Sequence, residues 1–236
     1  LVLRGERQAV FPRQAVDDWS ILSYLSGMTQ TEKAQATRQT ILDTGYRLVL
    51  GKGFAALGLQ EILKDSGVPK GSFYHYFASK EAFGVALLQE FVRGYGQRID
   101  HLLAVGPATG RDRLMRYWGA WLHDPDAPDC RGWAEDCLVV KLSAEVSDLS
   151  EAMRKVLSDG VATLLARIAA LISEGRADGS LPQGAEAGAL AQVLYQMWLG
   201  AALLAKLTQD RSPMQQAMAA TETLLTCPSQ HKAITR

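Results

Sequence analysis

The chain of 236 residues carries 25 basic and 25 acidic side chains, so nucleic-acid or membrane binding through a global field is excluded and any such contact needs a local patch. A hydrophobic fraction of 47% is enough to build a buried core, which excludes an intrinsically disordered chain. The three cysteines, Cys130, Cys137 and Cys227, are odd in number and lack C-x-x-C spacing. That argues against a disulfide framework or a zinc site and fits a reducing cytoplasm.

Residues 1–28 show no clear amphipathic period and read as a disordered extension ahead of an alternative start at Met28. The competing reading is an arm that uses Arg4, Arg7 and Arg13 to touch phosphates. The first strong helix is expected over Ala36 to Gly51, with Thr37 as N-cap and Ile41, Leu42, Gly45, Leu48 and Val49 on its inner face. Arg38 near its start reads either as a phosphate contact or as a solvated charge.

Leu59, Ile62 and Leu63 then repeat at helical spacing, and Gly67 supplies a residue able to end that helix with positive φ. Pro69 starts a second short helix, where its missing N–H costs little, and Phe73 and Phe77 at i and i+4 give that helix one buried face. Its other face carries Lys70, Ser72, Tyr74 and His75, with Lys80 following. Those are side chains suited to phosphates and to base edges in a major groove. The surroundings lean basic: Lys33, Arg38, Arg47, Lys52, Lys64, Lys70 and Lys80 stand against Glu32, Asp43, Glu61 and Asp65.

The spacing Ile62, Gly67-Val68, Lys70-Gly71, Phe73-Tyr74, Tyr76-Phe77, Lys80 and Phe83 resembles the helix-turn-helix signature of the TetR family of transcriptional repressors. Gly58 stands where that family usually has a Thr, and glycine is an acceptable N-cap. The resemblance implies an all-α, TetR-like fold. Its parts are a three-helix DNA-binding domain over residues 29–83, a larger sensor and dimerisation domain over 84–228, and a flexible tail over 229–236. It implies DNA contacts by Lys70, Gly71, Ser72, Tyr74, His75, Tyr76, Lys80 and Arg38, and a double-stranded operator bound by a homodimer.

A long helix follows from Ser79, whose hydroxyl can cap it, to about Val105. Beyond Gly106-Pro107 further helices are expected at about Gly110 to His123, Ala134 to Val146, Ser150 to Asp178, Ala185 to Gln209 and Pro213 to Leu225, with no competing β pattern. No apolar run escapes interruption by Asp, Gly or Lys for the length of a bilayer, so no membrane partner is expected. The helix at 185–209 is apolar on nearly every side except at Lys206 and must be buried on more than one face. In TetR-like proteins the last two long helices pair with those of a second subunit, which points to Leu194, Trp198 and Leu203 as interface residues. Met115, Tyr117, Trp118, Trp121, Tyr195, Met197 and Trp198 read as core in preference to a ligand pocket.

The histidines His75, His101, His123 and His231 are scattered, and no nucleophile elbow or phosphate loop is present. The spacing His123, Cys130, Cys137 lacks a fourth metal ligand. Hence no enzyme, metal or cofactor is expected. By residue chemistry Cys137 reads equally as an inert buried cysteine or as a reactive thiol. The second reading has a helix start, Lys141 at i+4 and Lys206 across the core in its favour, and Glu135 and Asp136 against it. The run from Cys137 to Met153 and the segment Trp198-Leu-Gly-Ala resemble an electrophile-responsive subgroup of the TetR family. That resemblance implies a sensor at Cys137, with Cys130 in the preceding Pro-rich loop as runner-up or resolving thiol. The implied inducer is a small reactive electrophile or oxidant; the alternative is a non-covalent apolar ligand.

Overall fold

The structure, a computed structural model, describes residues 29–104, 106–127 and 131–226. The expected extension over 1–28 with its alternative start, Cys130, Cys227 and the tail lie outside the described residues. Among those described the chain is helical: α1 Gln30–Lys52, α2 Leu59–Ser66, α3 Lys70–Tyr76, α4 Lys80–Leu103, α5 Gly110–Leu122, α6 Leu138–Leu149, α7 Glu151–Ala177, α8 Ala187–Thr208 and α9 Ser212–Thr226. They divide into two compact units. Of the described residues, the first takes those up to Gly94 together with Ala144–Val156, and the second takes those in Tyr95–Ser143 and from Leu157 to Thr226.

In the first unit, α1 starts earlier than its apolar pattern predicts. The Thr29 hydroxyl accepts from the Glu32 N–H at 3.3 Å while the Glu32 carboxylate accepts from the Thr29 N–H at 2.7 Å, a reciprocal cap. The turns added this way bury nothing, so hydrophobic periodicity could not reveal them. Thr37, expected to be the cap, lies inside the helix and donates to the Lys33 carbonyl at 2.9 Å. Ile41, Leu42 and Val49 of α1 are buried, as are Ile62 and Leu63 of α2. Phe73, Phe77 and Phe83 form a triangle of rings whose centroids lie 5.3–5.6 Å apart. Ser79 caps α4 as expected, accepting from the Ala82 N–H at 3.0 Å.

The second unit is organised around aromatic rings. Trp118 of α5 stacks on Trp198 of α8 with centroids 4.8 Å apart and planes 12° from parallel. Trp198 donates its indole N–H to the Thr221 hydroxyl of α9 at 2.9 Å, and Trp121 donates to the Tyr95 hydroxyl at 3.0 Å. Tyr117, Trp118, Trp121, Tyr195 and Trp198 are all buried in one core, with Met115 and Met197 packed at its edge.

Helix α6 starts at Leu138, not near Ala134, because residues 133–136 form a turn; it ends at Leu149, where Ser150 takes over as a cap for α7 by accepting from the Met153 N–H at 3.2 Å. By length and composition α7 and α8 could each cross a bilayer, although both supply buried residues to the second unit's core. On α8, Leu194 and Trp198 face that core and are fully buried. The expectation that they meet a second subunit is therefore corrected. A helix apolar on all sides does not reveal which stripe faces its own core, and the outward stripe here is Val193, Leu203, Leu204 and Leu207.

Candidate functional site

The helix-turn-helix is built by three local devices. Gly67 adopts φ +67°, the left-handed conformation that ends α2. The next N–H, that of Val68, returns to the Leu63 carbonyl at 3.2 Å, closing the helix end. Pro69 occupies the N-cap of α3, one residue before the first-turn position expected for it. Phe73 then anchors α3 to the core, leaving the opposite side of this short helix to solvent.

That exposed side gathers Lys70, Gly71, Tyr74 and His75, with Ser72 and Tyr76 half-buried beside them. Positions 70 and 74, and 71 and 75, are one helical turn apart and share a face. The Lys70 ammonium lies 6.0 Å from the centre of the Tyr74 ring, and Tyr74 is 45% exposed despite its size. A side chain built at Gly71 would meet nothing, so packing does not require the glycine; its bareness lets another backbone come close. Arg38 and Lys80 are placed differently. Arg38 lies over the Phe77 ring at 5.4 Å. The Lys80 ammonium donates to the Ala55 carbonyl at 3.3 Å and sits 4.9 Å from the Phe54 ring centre. Lys80 thus has work inside the protein that its position in the sequence did not suggest.

The second candidate lies in the other unit. Cys137 is 5% exposed and immediately precedes α6, with its carbonyl accepting from the Lys141 N–H at 3.1 Å. Burial pushes its thiol pKa up; hydrogen bonds from the Val140 and Val139 amides, then the charges of Arg98 and Lys206, pull it back only in part. Of the two readings left open for this thiol, the buried one describes its surroundings, and the pKa stays above the ordinary value. Lys141 is not among the charges acting on the thiol. Lys206 is, and its own pKa is lowered by burial and then by Lys141. Glu135 and Asp136 are drawn into ion pairs with Arg211 at 2.6 Å and Arg131 at 4.0 Å. Sequence reasoning missed Arg98, which is held by Asp124 at 2.8 Å and lies 4.5 Å from the Trp133 ring centre. It sits on α4, and nothing in the spacing around Cys137 points to it.

Phenols complete this surrounding. The hydroxyls of Tyr95 and Tyr117 are 3.1 Å apart, and Tyr95, Tyr117 and Tyr195 each have a raised pKa, mainly through burial and secondarily through neighbours that include Cys137. The buried indole N–H groups of Trp118 and Trp133 have no hydrogen-bond partner. Such donors are rare in folded proteins, and a guest with a hydrogen-bond acceptor would satisfy them. Among the described residues no three His, Cys, Asp or Glu side chains converge as metal ligands.

Comparison with known proteins adds to this geometry. Residues 41–87 match the family described as bacterial regulatory proteins, tetR family, and residues 110–221 match the tetracyclin repressor-like C-terminal domain. The chain is 43% identical over 194 residues to the HTH-type transcriptional repressor NemR of Escherichia coli, covering 82% of this chain and 96% of that protein. It is 32% identical to the HTH-type transcriptional repressor DhaR of a Mycobacterium species, covering 76% of this chain and 87% of that one. The crystal structure of the reduced form of Escherichia coli NemR superposes with a TM-score of 0.73, covering 82% of this chain and 99% of that one.

Proposed function

The chain belongs to the TetR family of bacterial transcriptional regulators, and we propose that it is a dimeric repressor that releases its operator when an electrophile or oxidant reacts at Cys137. The observation that carries this reading is 43% identity to the repressor NemR along nearly that protein's whole length. It is joined by a helix α3 that offers Lys70, Tyr74 and His75 outward while Phe73 anchors it. A near-palindromic operator fits two such helices related by a two-fold axis. The dimer axis runs beside α8 and α9, where Val193, Leu203, Leu204, Leu207 and Leu224 are exposed within one protomer.

In the covalent route a conjugated carbonyl compound accepts the Cys137 sulfur at its β-carbon, and the thiol proton ends on the α-carbon through solvent. The amides at the start of α6, Arg98 and Lys206 stabilise the thiolate that must form first. Treating the wild type and a Cys137→Ser variant with N-ethylmaleimide on operator DNA tests the route. Release by the wild type alone supports it; equal release by both, or by neither, removes Cys137 as the switch.

A second reading is a non-covalent inducer seated among the aromatic rings. The unpartnered N–H groups of Trp118 and Trp133 favour it, and they specify a ligand with a hydrogen-bond acceptor and not a purely apolar one. Release by N-ethylsuccinimide, which keeps the carbonyl oxygens of N-ethylmaleimide but has no conjugated alkene to add a thiol, at the same concentration in wild type and Cys137→Ser, would select this reading.

A further inference from the structure

Thirteen residues of distant sequence, Ala144–Val156, belong to the same compact unit as the helix-turn-helix, and three of them grip it. Glu145 on α6 accepts a hydrogen bond from the Phe54 N–H at 3.2 Å and a second from the Ala55 N–H. Both donors belong to the turn between α1 and α2. Ser150 donates its hydroxyl to the Glu81 carboxylate at 2.5 Å, in the first turn of α4. Met153 and the Phe54 ring both lie against Gly84 of α4, where an added Cβ would sit 2.8 Å and 2.6 Å from their atoms.

The turn is shaped for its carboxylate. Gly53 has φ +85°, a conformation that side-chain-bearing residues rarely adopt, and a Cβ there would lie 2.7 Å from a Glu145 oxygen. Two successive backbone N–H groups aimed at one half-buried carboxylate make charge-assisted bonds, stronger than neutral ones. On its other side the same turn is held by Lys80, through the Ala55 carbonyl and the Phe54 ring. Ala55, four positions before α2, is thus held between an anion from α6 and a cation from α4.

We propose that Glu145 is a positioning residue for operator binding: its carboxylate locks the Gly53–Ala55 turn, and through it the start of the α2–α3 reading head. This rests on the operator-binding reading above and goes beyond it by naming the lock. Glu145 touches no DNA. It acts by holding the backbone that carries α2, so its loss lowers specific affinity by adding conformational freedom to the bound geometry. The lock also sits on the helix that Cys137 precedes, two turns or about 12 Å further along at 1.5 Å per residue. A shift of α6 along its axis draws the carboxylate off the two N–H groups, which supplies a route from the thiol to the reading head.

The test uses full-length protein and an operator selected by the wild type from random duplex DNA. Glu145→Gln keeps the shape but turns an amide NH2 toward a backbone donor; Glu145→Ala removes both acceptors. In each, operator affinity falls roughly tenfold, the worth of one charge-assisted bond, while affinity for unrelated duplex stays unchanged. Hydrogen exchange at the Phe54 and Ala55 amides accelerates in both variants, with dimer mass and helix content retained. After N-ethylmaleimide labelling of Cys137, which proceeds at the wild-type rate, the variants show no further loss of operator affinity. Operator affinity within about twofold of wild type overturns the proposal, as does an equal loss on operator and unrelated DNA. If maleimide leaves the wild type bound, the Cys137 switch fails and the untreated comparison still decides the role of Glu145.

Discussion

A thiol held at 5% exposure with a raised pKa is a slow nucleophile at neutral pH, and this sets how Cys137 must behave if it is the sensor. Its labelling rate should climb about tenfold per pH unit between pH 6 and 8, because the thiolate fraction does so below the pKa. Mass-spectrometric labelling across that range checks it, and a rate already flat at pH 7 would mean the thiolate is preformed. The sequence offered Lys206, whose charge acts on the thiol, but it began the helix near Ala134, whereas Cys137 precedes a helix that begins at Leu138. It could not offer Arg98, because the cation reaches the thiol from a helix more than thirty positions away, and it offered Lys141, whose charge acts on Lys206 instead. The two lysines of the reading head separate in the same way. Lys70 is exposed with its charge free for phosphate, whereas Lys80 bonds the Ala55 carbonyl. Lys70→Ala should therefore flatten the log–log salt dependence of operator binding by roughly 0.9 units, the value for one lost phosphate contact. Lys80→Ala should weaken binding with the slope unchanged, and a slope lowered equally by both would return Lys80 to the phosphate contacts.

At the scale of an element, the helix-turn-helix was legible nearly to the residue because its signals are local: a glycine at positive φ, a proline at a cap and two phenylalanines one turn apart. Helix α8 was legible as a helix and illegible as a surface. Its apolar residues surround the axis, and only the packing of Trp198 against Trp118 and Thr221 shows which stripe belongs to the protomer. Substitutions on the two stripes should consequently fail in different ways. Trp198→Ala removes a buried stacked ring and should cost about 3–5 kcal/mol of stability, read as a lowered melting temperature. Leu203→Glu with Leu207→Glu, at positions 58% and 77% exposed, should leave the fold intact and give a monomer in sedimentation. A double variant that remains dimeric would move the interface off α8.

Across the whole molecule the ionisable groups are divided unevenly, and alkaline pH exposes the division. Cys137, Tyr95, Tyr117 and Tyr195 all lie in the second unit, and burial raises the pKa of each. A group whose neutral form is favoured by the fold contributes no pH dependence below its unfolded-state pKa. Above it the unfolded chain releases a proton that the folded chain retains, so stability falls as pH rises. The window opens near pH 8.5 for the thiol and near pH 10 for the phenols, their unperturbed values. Within it each proton that the fold retains lowers stability by at most roughly 1.4 kcal/mol per pH unit, the limit for one proton of difference between the two states. The described tryptophans, Trp118, Trp121, Trp133 and Trp198, are all in that unit, so in a Trp19→Phe variant indole fluorescence is its reporter. The expected course is a melting temperature, followed by that fluorescence, that holds level to about pH 8.5 and drops steeply beyond pH 10. Tyr95→Phe with Tyr117→Phe should soften the drop, since two of the protons withheld by the fold are gone. A melting temperature indifferent to pH up to 11 would show that the phenols ionise in place, and the core around Cys137 would then be open to water.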